Sequence, residues 1–308
     1  MMKIFVFFAV FFLAIKDGCK AMVDGGMEDT VKTVVDVNVA DNLFTKGLND
    51  ILLSDLYKDT LYLINKGKLV VIDTKSRSVA TDVKVNLFLG KQLKLNKYAR
   101  AIAAYDNGYY ISFLNEIYTV SKGGEVSKIY TGYYFVDNIK VLDSNRSLIA
   151  SRDSVKMITL KGEVLSFLPF EFTGTGYVQA SKVISYSAVP EDSVYEFGLS
   201  KGSSISLKRF APVALTKVMN EPIISCSTDD YFVAFDYSKR NTIYVLKKDM
   251  KKNEVVRTIK LKGFNYDPTL AEIQKEEGNP NFKIAFNNGI FYVIALVKGR
   301  LRVLSFVL

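Results

Sequence analysis

The sequence predicts an all-β fold, a six-bladed β-propeller in which an N-terminal strand completes the last blade. Three observations predict it. Strand–turn–strand segments recur along the chain, as in the run from Ala101 to Ile111 (AIAAYDNGYYI) and the run from Lys283 to Val293 (KIAFNNGIFYV). Three further turns open alike, at Lys122-Gly123-Gly124, Lys161-Gly162-Glu163 and Lys201-Gly202-Ser203, spaced by roughly 40 residues, the period of a four-stranded blade. The final repeat is one strand short. An unclaimed strand pattern stands at the other end, where Val31, Thr33, Val35, Val37 and Val39 alternate with Lys32, Val34, Asp36 and Asn38. Period-two alternation is the mark of a half-buried strand.

Taken in order, the first repeat occupies 51–56, 60–64, 68–72 and 82–89, with Lys66-Gly67 as a hairpin turn. The second uses 100–105, 109–114, 117–120 and 126–130. The third uses 138–142, 147–151, 155–160 and 164–167. The fourth, whose pattern is weakest, uses 176–180, 183–188, 194–198 and 205–210. The fifth uses 222–227, 231–235, 242–247 and 255–261. The sixth has 282–286, 290–296 and 301–308, and residues 31–39 supply its outer strand. Glycine in the Lys-Gly turns provides the positive φ that such turns require. The segment from Phe264 to Asn281 is too long for a connection between blades. Asp267-Pro268 is an N-cap and first-turn pair, and Gly278 and Pro280 are stop signals, so a short helical insertion over 268–277 is expected.

The N-terminus reads differently. Lys3 precedes an unbroken apolar run from Ile4 to Ile15, too short to span a bilayer and suited to a secretory signal. Cleavage after Ala21 gives residues 1–21 as signal peptide and 22–308 as a single propeller domain. A lipid anchor at Cys19 is the alternative use of the same segment. Either way the location is extracytoplasmic: periplasmic, cell-surface or secreted. Only Cys226 then remains, so no intrachain disulfide forms. Its strand-like setting, Ile223-Ile224-Ser225-Cys226-Ser227, marks a small buried residue.

Composition narrows the chemistry. The chain has 308 residues and a net charge of +9, with no histidine and no tryptophan. Absent histidine removes Ser-His-Asp and Cys-His catalysis and histidine-bearing zinc sites. Neither a Gly-rich dinucleotide loop nor a P-loop occurs. No cofactor, no metal and no catalytic residue is therefore assigned. The paired acids Asp229-Asp230 and Glu276-Glu277, and the Asp106-Asn107, Asp143-Ser144-Asn145 and Asn287-Asn288 sites, fit turns and solvated surface, where Asp and Asn tolerate the geometry. The positive charge suits an anionic surface polymer or a protein partner more than nucleic acid, since no long basic run occurs.

The connections leading from one blade to the next carry the remaining signal. One holds Lys91, Lys94 and Lys97. The next holds Tyr133 and Tyr134, a third Phe170 and Phe172 before Tyr177, and the long insertion holds Tyr266. These connections emerge on one face, so the sequence predicts a basic and aromatic binding rim there.

The repeats quoted above resemble the six-bladed, signal-bearing propellers of the TolB-like and NHL-like type, over residues 31–308. The resemblance implies a rigid extracytoplasmic platform and carries no catalytic residue over to this chain. A WD40 assignment lacks its tryptophan, and the quinoprotein dehydrogenases of similar shape rely on histidine. The expected function is a non-catalytic binding or scaffold module. The alternative is a carbohydrate-active enzyme, a hydrolase or lyase, working through carboxylates, Tyr or Lys at the axis.

Overall fold

The computed structural model describes residues 32–38, 51–65, 68–75, 78–81, 99–172, 176–180, 182–188, 193–200, 204–210, 222–236, 239–249, 254–261, 282–297 and 300–308. The signal segment, Cys19, Lys91, Lys94, Lys97, Tyr266 and the expected helix lie outside the described residues.

Every described element is a strand, and the chain folds as a β-propeller. The first strand, β1 (Lys32–Asn38), joins the last sheet. Sheet I is built from β2 (Ile51–Tyr57), β3 (Thr60–Asn65), β4 (Lys68–Asp73) and β5 (Ser78–Thr81). Its fourth strand thus lies at Ser78–Thr81 rather than at 82–89, because Asp73 pairs with Ser78 and Val70 with Thr81. Sheet II is β6 (Ala99–Tyr105), β7 (Gly108–Phe113), β8 (Glu116–Ser121) and β9 (Val126–Thr131). Sheet III is β10 (Val136–Val141), β11 (Arg146–Ser151), β12 (Ser154–Thr159) and β13 (Val164–Pro169).

The next two repeats share one eight-stranded sheet, so the described strands form five sheets where the sequence predicts six separate blades. The first half of sheet IV is β14 (Gly176–Ala180), β15 (Ile184–Ala188), β16 (Ser193–Leu199) and β17 (Ile205–Phe210). The second half is β18 (Pro222–Ser227), β19 (Tyr231–Asp236), β20 (Lys239–Lys247) and β21 (Glu254–Lys260). The halves are joined by a short parallel pairing of β14 with β18, Gln179 opposite Cys226 and Ala180 opposite Ser227. All other pairings within the sheet are antiparallel. Two first strands that approach the axis side by side meet this way when they run close enough to exchange backbone hydrogen bonds.

Sheet V is β22 (Phe282–Asn287), β23 (Ile290–Val297), β24 (Arg300–Val307) and, on its outer edge, β1. Val35 stands opposite Val303, with a register shift between Thr33 and Val35. The innermost strands β2, β6 and β10 lie in succession, as do β14, β18, β22 and β2. In sheets II and III the second strands are the most buried and the outermost the least. β7 is buried throughout, whereas β9 and β13 are mostly exposed or half-exposed. The core therefore sits between faces of neighbouring sheets. Ile102, Ile111 and Val120 belong to one such layer, and Phe235, Val245, Phe291 and Val303 to another.

One backbone bond recurs at four turns. The residue after a third strand donates its N–H to a carbonyl in the turn between the first two strands: Thr74 to Asp59, Lys122 to Asn107, Leu160 to Asn145 and Lys248 to Asp230, at 2.7–3.2 Å. The Asp and Asn residues of these turns thus hold the repeat together through their backbone. At Gly162 φ is +88°, and a Cβ there would sit 1.8 Å from the Ile129 carbonyl oxygen of sheet II. Glycine is required at that Lys-Gly turn for space as well as for φ.

Candidate functional site

The opposite face carries the connections from each outer strand to the next inner strand. One of them is described throughout and a second as far as Phe172, and both are sewn to a hairpin turn. Gly132 N–H donates to Asn115 O and Val136 N–H to Leu114 O, each at 2.7 Å. The Asn115 amide returns a bond to Gly132 O at 2.6 Å. In sheet III, Phe170 N–H donates to Asp153 O at 2.9 Å and Phe172 N–H to Arg152 O at 3.2 Å. Side chains on these connections are therefore displayed from fixed backbone.

The first connection turns its aromatics outward. Tyr133 is 87% exposed, and its ring meets Tyr134 edge-on with centroids 4.9 Å apart. Phe135, half-exposed, lies 4.8 Å beneath the Arg100 guanidinium. That guanidinium in turn pairs with Asp137 on β10. A cation over an aromatic face contributes about 0.5–1 kcal/mol at an exposed site, and here it fixes the base of the aromatic arm. Toward the outer rim, the Lys156 ammonium donates to the Tyr130 hydroxyl at 3.2 Å and lies 5.9 Å from the Phe167 ring centroid.

The second connection turns its aromatics inward. Phe170 packs on Phe172, Tyr195 and Phe197, and Phe172 packs on Tyr177, Tyr186 and Phe197, with centroids 4.8–5.7 Å apart. Burial pushes the Tyr177 phenol above its ordinary range, with Asp137 adding to the rise. Of the rim residues read from the sequence, the structure brings Tyr133 and Tyr134 together on the surface. It places Phe170, Phe172 and Tyr177 in an aromatic layer between sheets III and IV. Phe135 continues the aromatic run of the same connection in the sequence, whereas Arg100 and Asp137 join the site without any sequence motif.

A second polar constellation sits inside. The Lys248 ammonium donates to Glu196 Oε1 at 2.5 Å, to Ser227 Oγ at 3.0 Å and to Thr228 O at 2.7 Å. Ser227 Oγ donates to the same Glu196 oxygen. The ammonium also lies 4.9 Å from both the Phe210 and Phe232 ring centroids. A serine beside a lysine is the layout of a nucleophile and its base. Here the lysine has spent its three donors, and both charged side chains are buried. The cluster ties the two halves of sheet IV, across the parallel β14–β18 seam. Neighbouring Cys226 is fully buried and burial pushes its thiol up to about 12, which removes the thiolate a nucleophile needs.

The turn acids are engaged in turn geometry. Asp143 accepts from the Asn145 N–H and from the Arg146 guanidinium, which holds its carboxyl below the usual range. Asp106 is likewise held low by hydrogen bonds from Tyr57 and Lys58. Among the described residues, no three His, Cys, Asp or Glu side chains are grouped to hold a metal ion.

Comparison with solved structures supports the fold. Regucalcin from Agrobacterium tumefaciens, described as a calcium-binding protein, superimposes with a TM-score of 0.51 at 10% identity, covering 81% of this chain and 87% of that one. This chain is a β-propeller. A protein of unknown function from Bacteroides caccae gives a TM-score of 0.46 at 13% identity over 78% of this chain and 84% of that one. BamB from Moraxella catarrhalis gives 0.43 at 9% identity over 83% and 84%. The resemblance to TolB-like and NHL-like propellers is one of architecture. No protein-family model and no curated protein matches the sequence.

Proposed function

We propose that this chain is an exported, non-catalytic propeller of six blades that binds a protein or an anionic surface polymer. The count of six treats each half of sheet IV as a blade, since each is a complete antiparallel meander and only two residue pairs join them. In this reading β1 closes the ring as the outer strand of the sixth blade. Residues 1–21 direct the chain out of the cytoplasm, and the mature domain works as a platform.

The observation that carries the binding reading is the Tyr133–Tyr134 arm. A tyrosine left almost wholly in water gains little for the fold, yet the connection that carries it is bonded at Gly132 and at Val136. Rigidly displayed aromatic side chains give contact area at low entropic cost. Arg100, stacked over Phe135 and paired with Asp137, fixes the base of the arm. Lys91, Lys94, Lys97 and Tyr266 belong to the same rim in this proposal and supply its attraction for anions. The enzyme alternative gains no support from the Ser227–Lys248 pair, which is sealed from solvent.

The test compares capture of envelope components by residues 22–308 and by the Tyr133→Ala/Tyr134→Ala variant. Exposed residues of this kind change stability by about 0.5 kcal/mol or less, so both proteins should melt alike. The variant is expected to lose the captured partner. Equal capture by both proteins would remove the arm from the binding face.

A further inference from the structure

Lys156 is a cation without an acid. It projects from β12 toward sheet II, on the face it shares with Ile158, and is half-buried. Its ammonium donates one hydrogen bond, to the Tyr130 hydroxyl of β9 at 3.2 Å. It lies 6.0 Å from the Tyr130 ring centroid and 5.9 Å from that of Phe167, its cross-strand neighbour on β13. The rings attract the cation but carry no charge to balance it. The acids of the surrounding segments are taken. Glu116 accepts from Lys128 and Tyr118, Asp137 pairs with Arg100, and Asp153 accepts from Ser151 and Ser154. Glu171, exposed beyond Phe170, makes no ion pair with Lys156. An ammonium has three donors, and among the described residues only one of these finds an acceptor.

This cation lies beside the aromatic arm. A Cβ on Gly132 would stand 3.0 Å from both Cε1 and the hydroxyl oxygen of Tyr130. The tip of the Tyr130 ring therefore rests against the residue that precedes Tyr133. Lys156, Tyr130 and the arm form one continuous surface across the gap between sheets II and III. Its other aromatic side chains, Tyr133, Tyr134 and Phe167, are open to solvent rather than set in a pocket. A peptide anchors best by burying side chains in desolvated pockets. A pyranose ring is suited to the opposite case. It is broad, its C–H groups stack on an open aromatic face, and a carboxylate on it reaches a cation beside that face. One charge among uncharged hydroxyls also matches one uncompensated cation among aromatic rings.

We propose that Lys156 takes the carboxylate of an acidic polysaccharide, whose sugars stack on Phe167 and on the Tyr133–Tyr134 arm. The proposal rests on the binding role given to that arm and names its ligand. The ammonium keeps its bond to the Tyr130 hydroxyl and donates its two remaining N–H groups to the carboxylate, at the roughly 2.7–2.9 Å of a charge-assisted bond. Tyr130 and Phe167 hold the ammonium in place before the ligand arrives, so little side-chain freedom is lost on binding.

The test is isothermal titration calorimetry of the full mature chain, residues 22–308, in about 150 mM salt, which screens attraction beyond about 8 Å. Far-UV circular dichroism checks the folding of each variant. The probes are a hyaluronan oligosaccharide, with a carboxylate on every second sugar, a dextran oligomer of the same length without charge, and an oligo-glutamate peptide. The hyaluronan probe is expected to bind at least tenfold more tightly than the other two. Lys156→Met, which keeps the apolar stem, is expected to weaken it at least tenfold, and Phe167→Ala and Tyr133→Ala/Tyr134→Ala several-fold each. Hyaluronan binding that is undetectable at millimolar sugar overturns the proposal. So does binding indifferent to Lys156→Met and Phe167→Ala, which is the attraction of a basic protein for any polyanion. Equal binding of oligo-glutamate also overturns it, in favour of an acidic peptide. If hyaluronan fails while Tyr133→Ala/Tyr134→Ala still loses the captured envelope partner, the glycan assignment falls and the binding role of the arm stands.

Discussion

Replacing Glu196 by glutamine removes the carboxylate that faces the Lys248 ammonium while leaving shape and hydrogen-bonding capacity nearly unchanged. Both side chains are buried, at 7% and 6% exposure. The ammonium would keep its bonds to Ser227 Oγ and Thr228 O and its two phenylalanine faces, but its charge would stand uncompensated. Breaking a buried pair from one side costs about 3–5 kcal/mol. At roughly 2 °C per kcal/mol for a chain of this size, the melting temperature should fall by about 6–10 °C. Lys248→Met should cost a similar amount, because it strands the Glu196 carboxylate between Ser227 and apolar rings. The two losses share a cause, so the double variant should fall short of their sum by about 1–3 kcal/mol. Urea unfolding of the four proteins measures each corner of the cycle. Additive losses, or a Glu196→Gln protein within about 1 kcal/mol of its parent, would show that the pair does not hold the halves of sheet IV together.

Two further outcomes rest on single positions. Gly162→Ala should lose on the order of 3 kcal/mol in the same assay, because it meets the Ile129 carbonyl as well as an unfavourable φ. Gly289→Ala, with φ at +81° but open space around it, should lose only about 1 kcal/mol, and equal losses would discount the contact between sheets II and III. Stability should also decline on the alkaline side. The Cys226 thiol rises from 9.0 to about 12 on folding, and burial raises the Tyr62, Tyr110 and Tyr186 phenols above 10.0. The folded chain then holds protons that the unfolded chain gives up, so this contribution is complete below about pH 9 and is lost as pH rises toward 12. Unfolding free energies measured from pH 7 to 11, with Cys226→Ala for comparison, should show the decline, shallower in the variant. A flat profile would contradict the burial of these groups.

The strands are legible because each repeat states its pattern locally. Turn residues such as Asn107-Gly108 and Asn288-Gly289 fix hairpins between apolar runs, and outside sheet I the observed ends differ from the pattern by three residues at most. The fourth strand of sheet I is hidden because Leu87-Phe88-Leu89 is the more apolar stretch, while Ser78–Thr81 is short and small. The fusion within sheet IV depends on how closely two distant strands approach, which no local pattern encodes. The same holds for side chains. Tyr133 and Phe170 occupy equivalent connections in similar aromatic company, and only the packing of Tyr186, Tyr195 and Phe197 decides that Phe170 turns inward. Glu196 does leave a trace, since it shares the inward parity of Val194 in β16, and a charge at such a position calls for a buried partner. Its partner, Lys248, lies in another repeat and carries no signal of its own.

The pairing of Val35 with Val303 bears on how the chain is made. Of the described strands a ribosome makes β1 first and its neighbour β24 last, so β1 waits through the making of all the others for the edge it belongs to. Contacts between such distant parts of a chain form slowly. The interval leaves a valine-rich ribbon without its sheet until β24 is made.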